Sequence, residues 1–451
     1  MTRLLIESCE FVVTMDDAGT EPAGASILVE DGAIAWIGNG SPPAEPDERL
    51  DGRGTIALPG LVNTHHHLYQ TLTRARARER GLFDWLVELY PVWAGVDAEW
   101  ERAAARVGLA QLALSGCSTT TDHHYVHQAG AGDLLEVEIE AARELGLRFH
   151  PCRGSMDLGA SDGGLPPDSV VETTDDALAR SQEAVERFHD SSPGSMLRIA
   201  LAPCSPFSVT ERLMRESAEL ARRLGVAMHT HLAETLDEER FCLERFGRRP
   251  LELMDDWGWL GADVWFAHGV HLDERDVRRM ADTHSGVASC PSSNLRIGAG
   301  IAPVRALVDE GPRVGLGVDG SASNEPCDLF AEIRQAMLVS RAHGPERGLS
   351  AREALRLATR GGAEVLGRDD VGSLEPGRRA DVALFGVDGL AHAGADADPV
   401  AGLLMGGTQR VRHLLVEGEL VVRDGRLVTA DEAEIAREGH RVGRRIAEGG
   451  T

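Results

Sequence analysis

The stretch LPGLVNTHHHLYQ, residues 58–70, places His65, His66 and His67 at the end of an apolar run. A neutral imidazole nitrogen is a common ligand for metal ions. On an extended strand, residues two apart face the same side, so His65 and His67 can chelate one ion while His66 points the other way. A second pair, His229 and His231 in VAMHTHL, shares a side in the same manner, and the alternation does not choose between them. Other apolar runs end in Asp122–His123, Cys152–Arg153, Cys204, His268 and Asp319. A metal site takes roughly three or four such ligands. Imidazoles joined by a carboxylate form a mixed nitrogen and oxygen set suited to zinc or iron.

Groups so far apart in the chain need a scaffold that brings strand ends together. The β-rich runs are 55–65, 117–124, 147–152, 197–204, 226–232, 264–269, 286–292 and 313–319, and amphipathic helical stretches lie between most of them. Eight βα units predict an α/β fold, a (β/α)8 or TIM barrel, whose C-terminal strand ends meet at one mouth where active sites lie. Outside these runs, both chain ends carry hairpin grammar, with tight-turn pairs at Asp31-Gly32 and Asp424-Gly425. Isolated two-stranded ribbons are marginal, so residues 1–57 and 373–451, the latter with a C-terminal helix, are expected to share one small composite sheet domain. Residues 58–372 are then the barrel.

Bulk properties narrow the partners. The 451 residues carry a formal charge of −26, which repels phosphate backbones and argues against a nucleic-acid partner. No stretch approaches a membrane span, the N-terminus lacks signal-peptide features, and seven singly scattered cysteines suit a reducing cytoplasm. All 46 basic residues are arginine. Lysine is therefore excluded as Schiff-base former, general base or carbamylated bridge between metals.

LPGLVNTHHH, HTHLAE, FAHGVHL and GLGVDGS, in this order and at about these distances, resemble the amidohydrolase superfamily in its aminohydrolase branch. The terminal hairpins resemble the composite β-sandwich that flanks the barrel in that family. The resemblance implies His65, His67, His231 and Asp319 as ligands, with His231 selected over His229 by Glu234 three residues on. It implies a single divalent ion per subunit, zinc or else iron, because the bridging lysine of binuclear members is absent. Such an ion lowers the pKa of water from about 15.7 toward 7. Asp319 would then take the water's proton, Glu234 would protonate a ring nitrogen, and His268 would hydrogen-bond the attacking oxygen.

HHHLYQTLTRA, CRGSMDLG, LAPCSPFSVT and VDGSASNEP resemble the 8-oxoguanine deaminases and their isocytosine-deaminating relatives. The implied reaction converts 8-oxoguanine to urate and ammonia, or deaminates isocytosine, with a small nucleobase-like molecule as the substrate. Gln70 and Arg153 are expected at the base's polar edge and Tyr69, with Trp85, against its face. Cys204 stands where guanine deaminases tend to carry arginine. Triazine amino- or chlorohydrolases and guanine deaminase are the alternatives, and a non-catalytic scaffold is a remote one. The segment TRARARERGLFDWL is expected either to close over substrate or to meet a second subunit of a homo-oligomer.

Overall fold

The computed structural model describes residues 2–128, 130–407 and 410–449. Eight parallel strands close into a barrel: β1 (Leu61–Asn63), β2 (Cys117–His124), β3 (Arg148–Ser155), β4 (Ala200–Pro203), β5 (Met228–Leu232), β6 (Val264–His268), β7 (Gly286–Ser289) and β8 (Arg313–Leu316). Each strand pairs in parallel with its neighbours in chain order, and β8 returns to β1 through Leu316 and Asn63. Their residues are almost wholly buried, as expected when helices cover the outside and packed side chains fill the inside.

One expected strand divides in two. Thr55–Pro59 pairs antiparallel with Val382–Gly386 in a six-stranded sheet, and only Leu61–Asn63 enters the barrel. Gly60 lies between them, where a Cβ would come within 2.3 Å of the Ser118 hydroxyl. Only glycine fits so close an approach. The crossing from sheet to barrel therefore falls at residue 60, not after residue 57.

Two sheets stand beside the barrel. The four-stranded one is made only of N-terminal strands, in the order Ala33–Gly38, Ser26–Glu30, Arg3–Glu7, Glu48–Asp51. The six-stranded one joins Phe11–Val12 and Thr55–Pro59 to four strands from residues 382–427. Ile6, Ile27 and Val29 of the first share a buried cluster with Ala57, Val382, Leu384 and Leu415 of the second, which is the inner layer of a sandwich. Both anticipated hairpins form, with positive φ at Asp31 and Gly32 (47° and 76°) and at Asp424 and Gly425 (51° and 73°). That is the backbone of the tight turn whose twist matches paired strands.

The C-terminal helix, Glu432–Ala447, departs from expectation: it lies on the barrel, not on the sheets. Asp431 caps its first turn, accepting from the amides of Ala433 and Glu434. Val442 and Ile446 pack into the cluster that holds Trp93 and Trp100. Arg445 pairs with Asp97 and Arg441 with Glu99 at the start of α2 (Ala98–Leu114).

A buried cation ties sheet to barrel. Arg148, at the start of β3, is fully buried. It donates to both oxygens of Asp381 (3.2 and 3.1 Å), to Glu417, and to the carbonyls of Gly194 and Ser195. Burial disfavours the charge of Asp381, but Arg148 outweighs it and holds the carboxyl below its ordinary range. Removing one member of such a pair strands the other in a dry interior. Asp381→Ala should therefore lower unfolding free energy by about 3–5 kcal/mol, read as a lower urea midpoint; an unchanged midpoint would show that this contact does not hold the sheets to the barrel.

Candidate metal centre and active site

The C-terminal ends of β1, β2, β5, β6 and β8 bring together two overlapping buried groups, His65 with His67, His123 and His231, and His65 with His268 and Asp319. The ring orientations follow from what each outer nitrogen touches. His67 Nδ1–H donates to the His123 carbonyl (2.7 Å) and His231 Nδ1–H to the Cys204 carbonyl (2.6 Å). A carbonyl only accepts, so both Nε2 atoms carry lone pairs, and they face each other at 3.1 Å. His229 Nδ1–H donates to the Trp265 carbonyl (2.9 Å), which leaves its Nε2 to accept from His65 Nδ1–H at 2.8 Å. The His65 Nε2 lone pair therefore also points inward, buried and without a hydrogen-bond partner. Asp319 Oδ1 lies 3.4 Å from Nε2 of both His65 and His67.

Four electron-rich atoms converging with no proton between them fit a cation. A tetrahedral centre with bonds of about 2.0–2.1 Å has edges of about 3.3–3.4 Å, close to the spacings here. The donor set, imidazoles and a carboxylate, suits zinc or iron. His65, His67, His231 and Asp319 would hold the ion. His229 orients a ligand and is not one. His123 belongs to the same cluster: it stacks on His231 at 4.8 Å, and with Nε2 bonded to the Ala202 carbonyl its Nδ1 is left buried and without a partner. His66 points away, with Nε2 3.0 Å from the Cys327 sulfur.

The two acidic groups are driven apart. Burial would raise the Asp319 carboxyl, but the adjoining imidazoles, His65 first and then His268 and His67, hold it well below its usual value. Its Oδ2 accepts from Ser293 (2.6 Å) and Ser323 (3.2 Å), and its Oδ1 from the Gly320 amide (2.7 Å). Glu234 is pushed well above the ordinary carboxylate range, by burial first and then by repulsion from Asp319 and Glu238. The turn that aims it is held by Glu238, whose carboxyl accepts from the amides of Ala233 and Glu234, both at 2.9 Å. His268 Nδ1–H donates to Asn294 Oδ1 (2.9 Å), and its Nε2 stands 3.6 Å from Glu234. His268 and Asp319 both take left-handed φ, 74° and 61°, a backbone cost that tends to concentrate at working sites.

The pocket above these groups is walled by Trp85, Leu86, Tyr90, Tyr125 and Phe207, and it also presents Gln70, Cys204, Ser293 and Ser323. Gln70 Oε1 is buried there without a partner. Burial pushes the Cys204 thiol up to about 12, so it stays neutral. Two expected contacts fall elsewhere. Arg153 lines a different cavity, where both oxygens of Glu172 accept from its guanidinium at 2.7 and 2.9 Å. Tyr69 lies behind the pocket wall, against Trp93 and Tyr125, its hydroxyl 3.4 Å from the Gln70 amide nitrogen.

Of the segment TRARARERGLFDWL, the second half forms the start of α1 (Leu82–Trp93), whose Leu82, Trp85, Leu86 and Tyr90 roof the pocket. Arg296 fastens the first half, donating to the carbonyls of Arg76, Ala77 and Arg78. Ser293 and Asn294 went unremarked in the sequence. Their signal was a pair of polar residues opening the helix Pro291–Arg296 just after β7. The spacing of Thr235 and Glu238 at a helix start likewise marked the clasp on Glu234.

Comparison with known proteins gives concordant findings. The profile described as "Amidohydrolase family" matches residues 56–421. An 8-oxoguanine deaminase of Pseudomonas aeruginosa is 47% identical over 92% of this chain and 93% of its own. Hydroxydechloroatrazine ethylaminohydrolase of Pseudomonas sp. (strain ADP) is 38% identical over 100% of this chain and 97% of its own. The crystal structure of atrazine chlorohydrolase TrzN from Arthrobacter aurescens TC1 complexed with zinc superposes with a TM-score of 0.94 at 36% identity, covering 98% of this chain and 100% of that one.

Residues that orient a metal-binding imidazole typically contribute 10- to 100-fold to affinity. His229→Ala, which touches no metal, is expected to weaken zinc binding by about that factor in competition with a chromophoric chelator; wild-type affinity would refute its orienting role.

Proposed function

The chain belongs to the amidohydrolase family and is a hydrolase acting on C–N bonds, and from that premise we propose that it deaminates a neutral oxopurine or oxopyrimidine free base, 8-oxoguanine above all. The observation that carries this is that two buried carboxyls lining one pocket are displaced in opposite directions, Glu234 up and Asp319 down. Paired groups with pKa values pushed apart mark acid and base roles. A divalent ion, when bound, supplies a Lewis acid that makes water acidic enough to lose a proton near neutrality.

The protein's own groups then divide the work. Asp319 takes one proton from the attacking water. His268, its Nδ1–H committed to Asn294, presents an Nε2 lone pair that accepts from the same water and orients it. Glu234 delivers its proton to the ring nitrogen beside the amino-bearing carbon, which makes that carbon electrophilic. The water oxygen bonds to this carbon, the Asp319 proton passes to the amino group, and the C–N bond breaks to release ammonia. The remaining hydroxyl proton restores Glu234 as the carbonyl forms. For 8-oxoguanine, addition of water and loss of ammonia yields urate.

The pocket supports a free base. Aromatic and aliphatic walls suit a flat ring, and the unpartnered Gln70 Oε1 can accept a ring N–H. Its lining residues include no arginine, and the chain has no lysine, so a phosphate would find no cationic side chain there. The 47% identical relative named as an 8-oxoguanine deaminase favours the same substrate. A second reading, release of an alkylamine from a hydroxytriazine, has support in the 38% identical ethylaminohydrolase and in the apolar Leu82, Leu86 and Ile297.

A panel of 8-oxoguanine, isocytosine, guanine and N-ethylamino-hydroxytriazine, with amine release as readout, separates these readings. Ammonia from 8-oxoguanine with the highest kcat/KM supports the first, and ethylamine from the triazine would replace it with the second. General acid catalysis is worth about 10²–10⁴-fold, so Glu234→Gln should lose turnover by about that factor while keeping its metal. Because the raised Glu234 pKa keeps the reactive proton below it, wild-type kcat should fall as pH rises through that value. An alkaline limb that persists unchanged in Glu234→Gln would remove Glu234 as its source.

A further inference from the structure

On the outer side of β2, at the same C-terminal end as the barrel mouth, a second group of ligating side chains is sealed inside the protein. Glu101 comes from α2, His124 from the end of β2, and Glu138 from α3 (Leu134–Leu145); all three are fully buried. His124 Nε2 lies 2.9 Å from the Val126 carbonyl, which can only accept, so that nitrogen carries the hydrogen. In the neutral ring the Nδ1 lone pair then points between two carboxylates, 3.1 Å from Glu138 Oε1 and 3.5 Å from Glu101 Oε2. Both oxygens of Glu101 and Oε2 of Glu138 lack any hydrogen-bond partner. Among the described residues, no arginine pairs with either acid; the arginines on the same helix, Arg102 and Arg106, face Glu144 and the C-terminal helix.

We infer that Glu101, His124 and Glu138 form a second divalent-metal site, structural in role and separate from the catalytic one. One nitrogen and two oxygens, each from a different element and all within 4.8 Å of one another, converge on a shared point. The two spacings from His124 Nδ1, 3.1 and 3.5 Å, lie near the edges, about 3.3–3.6 Å, of a tetrahedral centre with bonds of about 2.0–2.2 Å. The imidazole donor selects a first-row transition ion such as zinc over magnesium or calcium, which prefer oxygen alone. Asp122, on the same strand, lies beside the site: its Oδ1 accepts from the Leu68 amide at 2.6 Å, its Oδ2 has no partner, and burial pushes its carboxyl up to about 7. Buried acids without a cation must hold protons instead, and burial does push Glu101 and Glu138 upward. Shared protons are therefore the competing occupant. An ion there would pin α2 and α3 to β2, the strand that also supplies the carbonyl of His123 that orients His67.

The test is zinc content per folded subunit, measured by elemental mass spectrometry on the full-length protein produced with zinc as the sole added transition metal. The site predicts two equivalents in the wild type, one in the His67→Ala/His231→Ala variant, and one in Glu101→Gln/Glu138→Gln. X-ray absorption of the His67→Ala/His231→Ala variant should show one imidazole among oxygen ligands. One equivalent in the wild type and none in His67→Ala/His231→Ala would overturn the proposal and assign the cluster to protons. That pair of measurements decides even if the glutamine variant fails to fold. A wild type and His67→Ala/His231→Ala variant that both hold one equivalent would keep this site and remove the catalytic one.

Discussion

The centre of this molecule depends on a rule about hydrogen bonds: a backbone carbonyl can only accept. His123, Cys204 and Trp265 each offer a carbonyl to an imidazole nitrogen, directly or through His229, and so decide which nitrogen of His67, His231 and His65 is left bare. Three lone pairs directed at one another are repulsive unless something positive lies between them. The barrel imposes that arrangement because the carbonyls lie on β2 and β6 and just after β4, while the rings lie on β5 and just after β1. Ligand identity is thus local, but ligand polarity is set by the neighbouring strand. The outer bonds are as much part of the centre as the rings themselves.

The same dryness that sharpens the metal site separates its acids. Glu234 and Asp319 are equally buried, yet one is pushed up and the other held down. Their neighbours account for the difference: Asp319 has imidazoles, two serine hydroxyls and an amide around it, whereas Glu234 meets mainly other carboxylates. The roof formed by α1 maintains this contrast by excluding water, which would otherwise screen both groups toward ordinary values. The roof and the two carboxyls therefore form one electrostatic unit.

Below the barrel, Arg148 does for the fold what a cation would do for the mouth. It gathers Asp381, Glu417 and two carbonyls into a single buried knot where the sheets meet the barrel. Gly60 permits the chain to pass this junction at van der Waals distance from β2. The cluster at Glu101, His124 and Glu138 repeats the theme on the far side of β2, with acids in excess and no arginine among the described residues to meet them. A chain this acidic, with arginine as its only side-chain cation besides histidine, assigns its buried positive charge sparingly.

Much was legible in the residues themselves. Strand alternation directed His65 and His67 to one side and His66 to the other, and eight apolar runs matched eight barrel strands, because period and burial are properties of short stretches. The Asp31-Gly32 and Asp424-Gly425 hairpins were equally local. Other decisions were not. The place of Arg153 against Glu172, the retreat of Tyr69 behind Gln70, and the seating of the C-terminal helix on the barrel all turn on partners remote in the chain. So does the contrast between Glu234 and Asp319: both are acids at strand ends, and only the company each keeps after folding pushes one carboxyl up and holds the other down. Residue type and spacing determine which groups can reach the mouth; distance and burial, which exist only in three dimensions, decide their charge and orientation once there.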